Sequence, residues 1–157
     1  MKISVQENDF DAGIEIAELR AKNARIGAIA SFIGLVRDNN AGDAVTAMTL
    51  EHYPAMSAKV LLDIAEQAMR RWQIEDVTVI HRTGVLQLCD QIVLVVAAAA
   101  HRHDAFLACE FIMDFLKTAA PFWKKEQTAQ GERWVESRSA DEDARLSWLD
   151  PSDISSR

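Results

Sequence analysis

The segment Gln91–Ala99, QIVLVVAAA, has no charged side chain and, after its first residue, no polar one. A strand of this kind is apolar on both faces and needs cover on both, so it belongs inside a layered structure. Ile26–Val36, IGAIASFIGLV, has the same two-sided character with two glycines and reads as a central strand. Around these runs the periodicity alternates. Met1–Gln6, Val45–Tyr53 and Asp76–Arg82 read as strands, and Arg37–Asp43 as a polar loop. Asp9–Ala21, with Asp9 or Asp11 near its cap, reads as a helix. Pro54–Trp72 is a second, with Leu61, Ile64, Ala65, Ala68 and Trp72 at three- and four-residue steps. Asp104–Ala119 is a third, stopped before Pro121. Phe122–Thr128 and Glu132–Ser137 flank Gln130–Gly131 as a hairpin.

The expected fold is therefore α+β: a mixed, mostly antiparallel sheet covered by helices, with a small C-terminal β-hairpin subregion. Two covering helices imply one sheet with helices on one face. The other face then needs a second copy or a partner subunit. A chain of 157 residues fits one domain, expected over residues 1–140. Residues 141–157 are acidic and Ser-rich and read as a tail: a short helix around Asp141–Trp148, then a flexible end.

Charge narrows the functions. With 17 Lys+Arg against 24 Asp+Glu the net is −7, which argues against a broad nucleic-acid face but leaves room for a local cationic pocket. No apolar run approaches the ~18 residues of a membrane span. The start, MKISVQENDF, lacks the apolar core of a secretory signal. Cys89 and Cys109 form neither a disulfide framework nor a metal motif, so a reducing, cytoplasmic setting is expected. The four histidines, His52, His81, His101 and His103, have no ligand spacing, and no metal is expected.

Cations stand at element ends. On the Asp104–Ala119 helix the polar residues Glu110, Asp114 and Lys117 share one stripe, and nearly everything else is apolar. Lys117 there can simply complement the helix dipole. Phe122-Trp123-Lys124-Lys125-Glu126 follows, and strand alternation puts Lys124 and Lys125 on opposite faces. Arg37 follows one apolar strand; His101 and Arg102 follow the other. Singly, each reads as a solvated turn residue. Together, Arg37, His101, Arg102, Lys117 and Lys124 point to a phosphate or carboxylate pocket.

Several segments carry a resemblance. They are Ser31–Arg37 (SFIGLVR), Leu50–Met56 (LEHYPAM), Ile80–Gly84 (IHRTG), Ala100–Arg102 (AHR), Phe111–Thr118 (FIMDFLKT), Ala120–Glu126 (APFWKKE) and Trp134–Glu136 (WVE). In this order, across roughly residues 3–138, the chain resembles the large, catalytic subunit of molybdopterin synthase. The resemblance implies an α/β-hammerhead-like fold and a sulfurtransferase. That activity converts cyclic pyranopterin monophosphate to molybdopterin, with two dithiolene sulfurs delivered by the C-terminal thiocarboxylate of a small ubiquitin-like subunit. It implies a self-dimer carrying a small subunit at each end, and no cofactor of its own. Residue by residue it assigns Lys117 and Lys124 to catalysis, and Arg37, His101, Arg102, Lys125, Glu126 and Arg138 to substrate binding. Phe32 and Met113 shape the pocket. The competing readings are a non-catalytic dimeric module that binds a phosphorylated metabolite and a scaffold for the small subunit.

Overall fold

The structure, a computed structural model, describes residues 1–40, 43–129, 131–135 and 139–149. The elements follow as β1 (Lys2–Gln6), α1 (Ala12–Ala21), β2 (Ala28–Leu35), β3 (Asn39–Asn40), β4 (Asp43–His52), α2 (Pro54–Arg71), β5 (Ile74–Arg82), β6 (Gly84–Gln87), β7 (Gln91–Ala99), α3 (Arg102–Thr118), β8 (Phe122–Thr128), β9 (Gly131–Val135) and α4 (Ser139–Ser147).

There are two sheets rather than the single one expected. The first has the order β1-β5-β7-β2, with β1 parallel to β5 and the other pairs antiparallel. The second is built on β4, which pairs with β8, β6 and β3, and β8 pairs in turn with β9. The class is α+β with a mixed, mostly antiparallel set of strands, and the C-terminal hairpin is β8–β9.

The two-sided strand is β7, and its alternation divides the core. Val93, Val95, Ala97 and Ala99 pack with Leu61, Ile64, Phe111 and Ile112 of α2 and α3. Leu94, Val96 and Ala98 pack on the opposite face with Leu19 of α1 and with Phe10. Helices thus cover both faces of this sheet, and the bare face expected from the sequence is filled by α1. The helix is set by Asp11, whose side chain accepts a hydrogen bond from the Ile14 N–H at 3.0 Å. In α2, Pro54 opens the first turn and the buried stripe is Ser57, Leu61, Ile64, Ala65 and Ala68.

Ile26–Val36 corresponds to β2, but β2 is an edge strand, not a central one. Its cover is partial as well: Ala30 is buried, but Phe32 and Ile33, which point to opposite faces, are both exposed. The exposed Phe32, Ile33 and Leu35 mark that edge. Val36, just past it, is buried with Met48, Leu50 and Leu86, and this third cluster joins the two sheets.

The helix near the C-terminus returns to the body. α4 spans the expected boundary at residue 140, and Trp148 is buried in the main core. The Trp148 ring meets Trp72 and Phe111 edge-on, each at 5.6 Å. Its Nε1–H donates to Asp114 Oδ2 at 2.7 Å, and its carbonyl accepts from Arg71 Nη1 at 2.9 Å. The remainder of the expected tail, 150–157, lies outside the described residues. Among the described residues, no helix is long and apolar enough to cross a membrane.

Candidate active site

α3 follows β7 after two residues and packs on β7 and β2. It therefore doubles back over the strands it has just left, with His101 as N-cap at one end and Lys117 in the last turn at the other. Its inner side is filled by Ala105, Ala108, Cys109, Phe111, Ile112, Met113, Phe115 and Leu116, leaving His103, Glu110 and Lys117 on the exposed stripe. The sequence pattern predicts most of this division, but Asp114, expected on the polar stripe, is half-buried against Trp148, and Phe106 is exposed.

The chain order around β2 fixes where the cations stand. Ala28 pairs with Ala99, so His101 and Arg102 emerge at that end of β2. Leu35 pairs with Gln91, and Val36 is tied to the turn at Cys89–Asp90, so Arg37 emerges at the other end. The seven steps of β2 span about 23 Å, and the 15 steps from Arg102 to Lys117 along α3 about 22 Å. Arg37 and Lys117 thus share one end, and His101 and Arg102 the opposite end. Within one chain these two groups do not close on the same atoms.

Lys124 and Glu126 join the Arg37 end. On β8, Lys124 stands across from Leu50 and Glu126 across from Met48. Side chains directly opposite on antiparallel strands lie on one face. That face carries Met48 and Leu50, which pack with Val36 next to Arg37. Lys124 Nζ lies 2.9 Å from Glu126 Oε1, and Glu126 is only 2% exposed. Lys125 is turned the other way. It pairs with Glu132 at 3.1 Å and Glu51 at 4.0 Å, and its ammonium stands 5.3 Å from the Trp134 ring centre. The structure therefore brings Lys124 and Glu126 together and separates Lys125 from them. Arg138 lies outside the described residues.

Three groups near this face do not stand out in the sequence. Arg133 of β9 pairs in register with Glu126 and donates to its Oε2 at 3.2 Å. The hairpin register implied by Gly131 is the signal that locates it. His81 stacks on Phe122 at 3.8 Å with the planes 7° apart, and His52 lies on Phe122 at 6.1 Å. The Nδ1 of His81 donates to the Arg82 carbonyl at 2.8 Å, and burial pushes its pKa down to about 4. His81 is thus a neutral packing ring. Phe122 opens the strand that carries Lys124.

The two thiols stand in different surroundings, and Cys109 is poorly suited to act as a nucleophile. Cys109 is buried on α3, and burial, aided by the Glu110 carboxylate, pushes its thiol up to about 11. Cys89 is exposed in a tight turn with φ 69°. Among the described residues, no group of three His, Cys, Asp or Glu is placed to hold a metal ion. A shallow depression lined by Asp9, Phe10, Asp11 and Gln91 is acidic and unsuited to an anion.

Arginine and lysine gathered at one end of an α+β scaffold suit ligands of the class of anionic small molecules. The comparisons narrow this class. The model of the family described as MoaE protein matches residues 5–119. A protein of Ralstonia nicotianae named molybdopterin synthase catalytic subunit is 61% identical over 146 residues, which is 93% of this chain and 83% of that one. The solved molybdopterin biosynthesis MoaE protein of Burkholderia ambifaria superposes with a TM-score of 0.81 at 54% identity, covering 95% of this chain and 98% of that one. Molybdopterin synthase from Staphylococcus aureus superposes with a TM-score of 0.76 at 28% identity, covering 84% and 95%. The chain belongs to the MoaE protein family.

Proposed function

We propose that this chain is the catalytic subunit of a molybdopterin synthase, the enzyme of molybdenum cofactor biosynthesis that installs two dithiolene sulfurs in cyclic pyranopterin monophosphate. The observation that carries the reading is the 61% identity, over 93% of the chain, to a protein named for that role. The site chemistry supports it. Sulfur arriving as a partner's thiocarboxylate removes the need for a cysteine nucleophile, and the Cys109 thiol is poorly placed to be one. Both the thiocarboxylate and the substrate phosphate are anions, which suits Arg37, Lys117 and Lys124 at one end of the sheet.

In this reading the small subunit's C-terminal tail reaches the end of α3. After the thiocarboxylate sulfur bonds to the substrate, Lys117 stabilises the oxyanion that forms as water cleaves the acyl–sulfur bond, which leaves the sulfur on the substrate and a carboxylate on the tail. Lys124, steadied by Glu126, holds the substrate or moves a proton. Arg37 grips the substrate with its planar fork. His101 and Arg102, about 22 Å away along α3, serve the equivalent site of a second copy, so the working unit is a self-dimer with one small subunit per site. Arg138 is proposed to bind substrate as well. Lys125, on the opposite face from Lys124, is proposed only to support the hairpin. No resident cofactor is required, and the protein is placed in the cytoplasm, consistent with the free Cys89 and Cys109.

The test is reconstitution of the chain with a thiocarboxylated small subunit and cyclic pyranopterin monophosphate. Formation of molybdopterin is expected. A stable complex without product would indicate a scaffold, and neither complex nor product would indicate a metabolite-binding module.

A further inference from the structure

Glu126 divides its two carboxylate oxygens between cations on neighbouring strands. Oε1 meets Lys124 Nζ at 2.9 Å, and Oε2 meets Arg133 Nη2 at 3.2 Å. The carboxylate is 2% exposed, and a buried charge of this kind persists only when paired. The two partners differ in what they fix. An ammonium on a four-carbon stem is a point charge with little directional preference, whereas a guanidinium is a planar fork. The fork comes from the facing strand, at the position directly across from Glu126. Through its Nη2 it holds Oε2 on the β9 side, which leaves Oε1 turned to the Lys124 ammonium.

The register behind this contact is built into the turn. Thr128 pairs with Gly131, whose φ of +114° is a conformation that side chains rarely adopt. A slip of one residue would carry Arg133 to the opposite face, among Lys125, Glu132 and Trp134.

We propose that Arg133 is a positioning residue that acts on Lys124 through Glu126. The inference deepens the reading of Lys124 as a residue that meets substrate, and rests on it. The experiment uses the full synthase, reconstituted with thiocarboxylated small subunit and cyclic pyranopterin monophosphate. The variants are Arg133→Met, Arg133→Lys, Glu126→Gln and the double variant Arg133→Met with Glu126→Gln. Loss of one charge-assisted contact predicts a kcat about tenfold lower for Arg133→Met, with KM within about twofold of wild type. Arg133→Lys keeps the charge without the fork and recovers only part of the rate. The double variant is no slower than Glu126→Gln alone, because both act along one chain of contacts. If Arg133→Met does not fold, Arg133→Gln carries the same comparison.

A wild-type kcat in Arg133→Met, or additive losses in the double variant, would overturn the proposal while leaving the function intact. Absence of product from the wild-type protein would remove the functional reading and this inference with it.

Discussion

The imidazole of His81 lies flat against the ring of Phe122, 3.8 Å away, two residues before Lys124 on the same strand. Burial holds the imidazole neutral, with a pKa of about 4 against an ordinary value of 6.5. A base whose pKa is lower in the folded chain takes up its proton first when unfolded. Its contribution is therefore complete above about pH 6.5 and declines as the pH falls toward 4. Between pH 7 and pH 5, wild type should lose about 2 kcal/mol more stability than His81→Phe, which keeps the stack and removes the titration. Urea unfolding of the two proteins at both pH values measures this. Equal losses would mean that His81 is not the buried neutral base described.

Trp148, just past α4, is buried in the core and anchors that helix to the body. Trp148→Ala should cost about 3–5 kcal/mol, as large cavities at buried aromatics do. Trp148→Phe retains the ring but loses the 2.7 Å bond to Asp114. It should cost about 1 kcal/mol, plus a share for the unpaired carboxylate. Denaturant midpoints decide, and a neutral Trp148→Ala would place the tryptophan in solvent.

The separation of Lys117 from His101 and Arg102 predicts complementation between copies. A Lys117→Ala chain and an Arg102→Ala chain, each nearly inactive alone, should regain activity when unfolded and refolded together. Random pairing gives half mixed dimers with one intact site each, or about a quarter of wild-type activity. No recovery would mean that each copy uses its own His101 and Arg102.

Legibility in the sequence varied with how local each cause was. Gln91–Ala99 appears in the structure with the bounds expected of it, because a two-sided apolar run is a local signal. The stripe on α3 was readable except at Asp114 and Phe106, and the α1 cap only as a choice between Asp9 and Asp11, which the structure settles as Asp11. The strand Gly84–Gln87 was missed: of its four residues only Leu86 is buried, and Val85 is exposed. The second sheet was missed for a different reason. β4 and β8 pair residues seventy or more positions apart, such as Met48 with Glu126, and no local periodicity encodes that pairing. The site was legible as a set of cations at element ends, but not in its grouping. The opposite faces of Lys124 and Lys125 follow from alternation alone. The distance between Arg37 and His101 required the register of β2 on β7.

The central claim is that this chain transfers sulfur through Lys117. The most direct measurement is molybdopterin formed by wild type and by Lys117→Ala, each reconstituted with thiocarboxylated small subunit and cyclic pyranopterin monophosphate. Lys117 is exposed at the end of α3, so its replacement leaves the core untouched. The account predicts product from wild type and a loss of at least about a hundredfold in Lys117→Ala, the scale for removing a group that stabilises developing charge, with the small subunit still bound. Wild-type turnover in Lys117→Ala would contradict it.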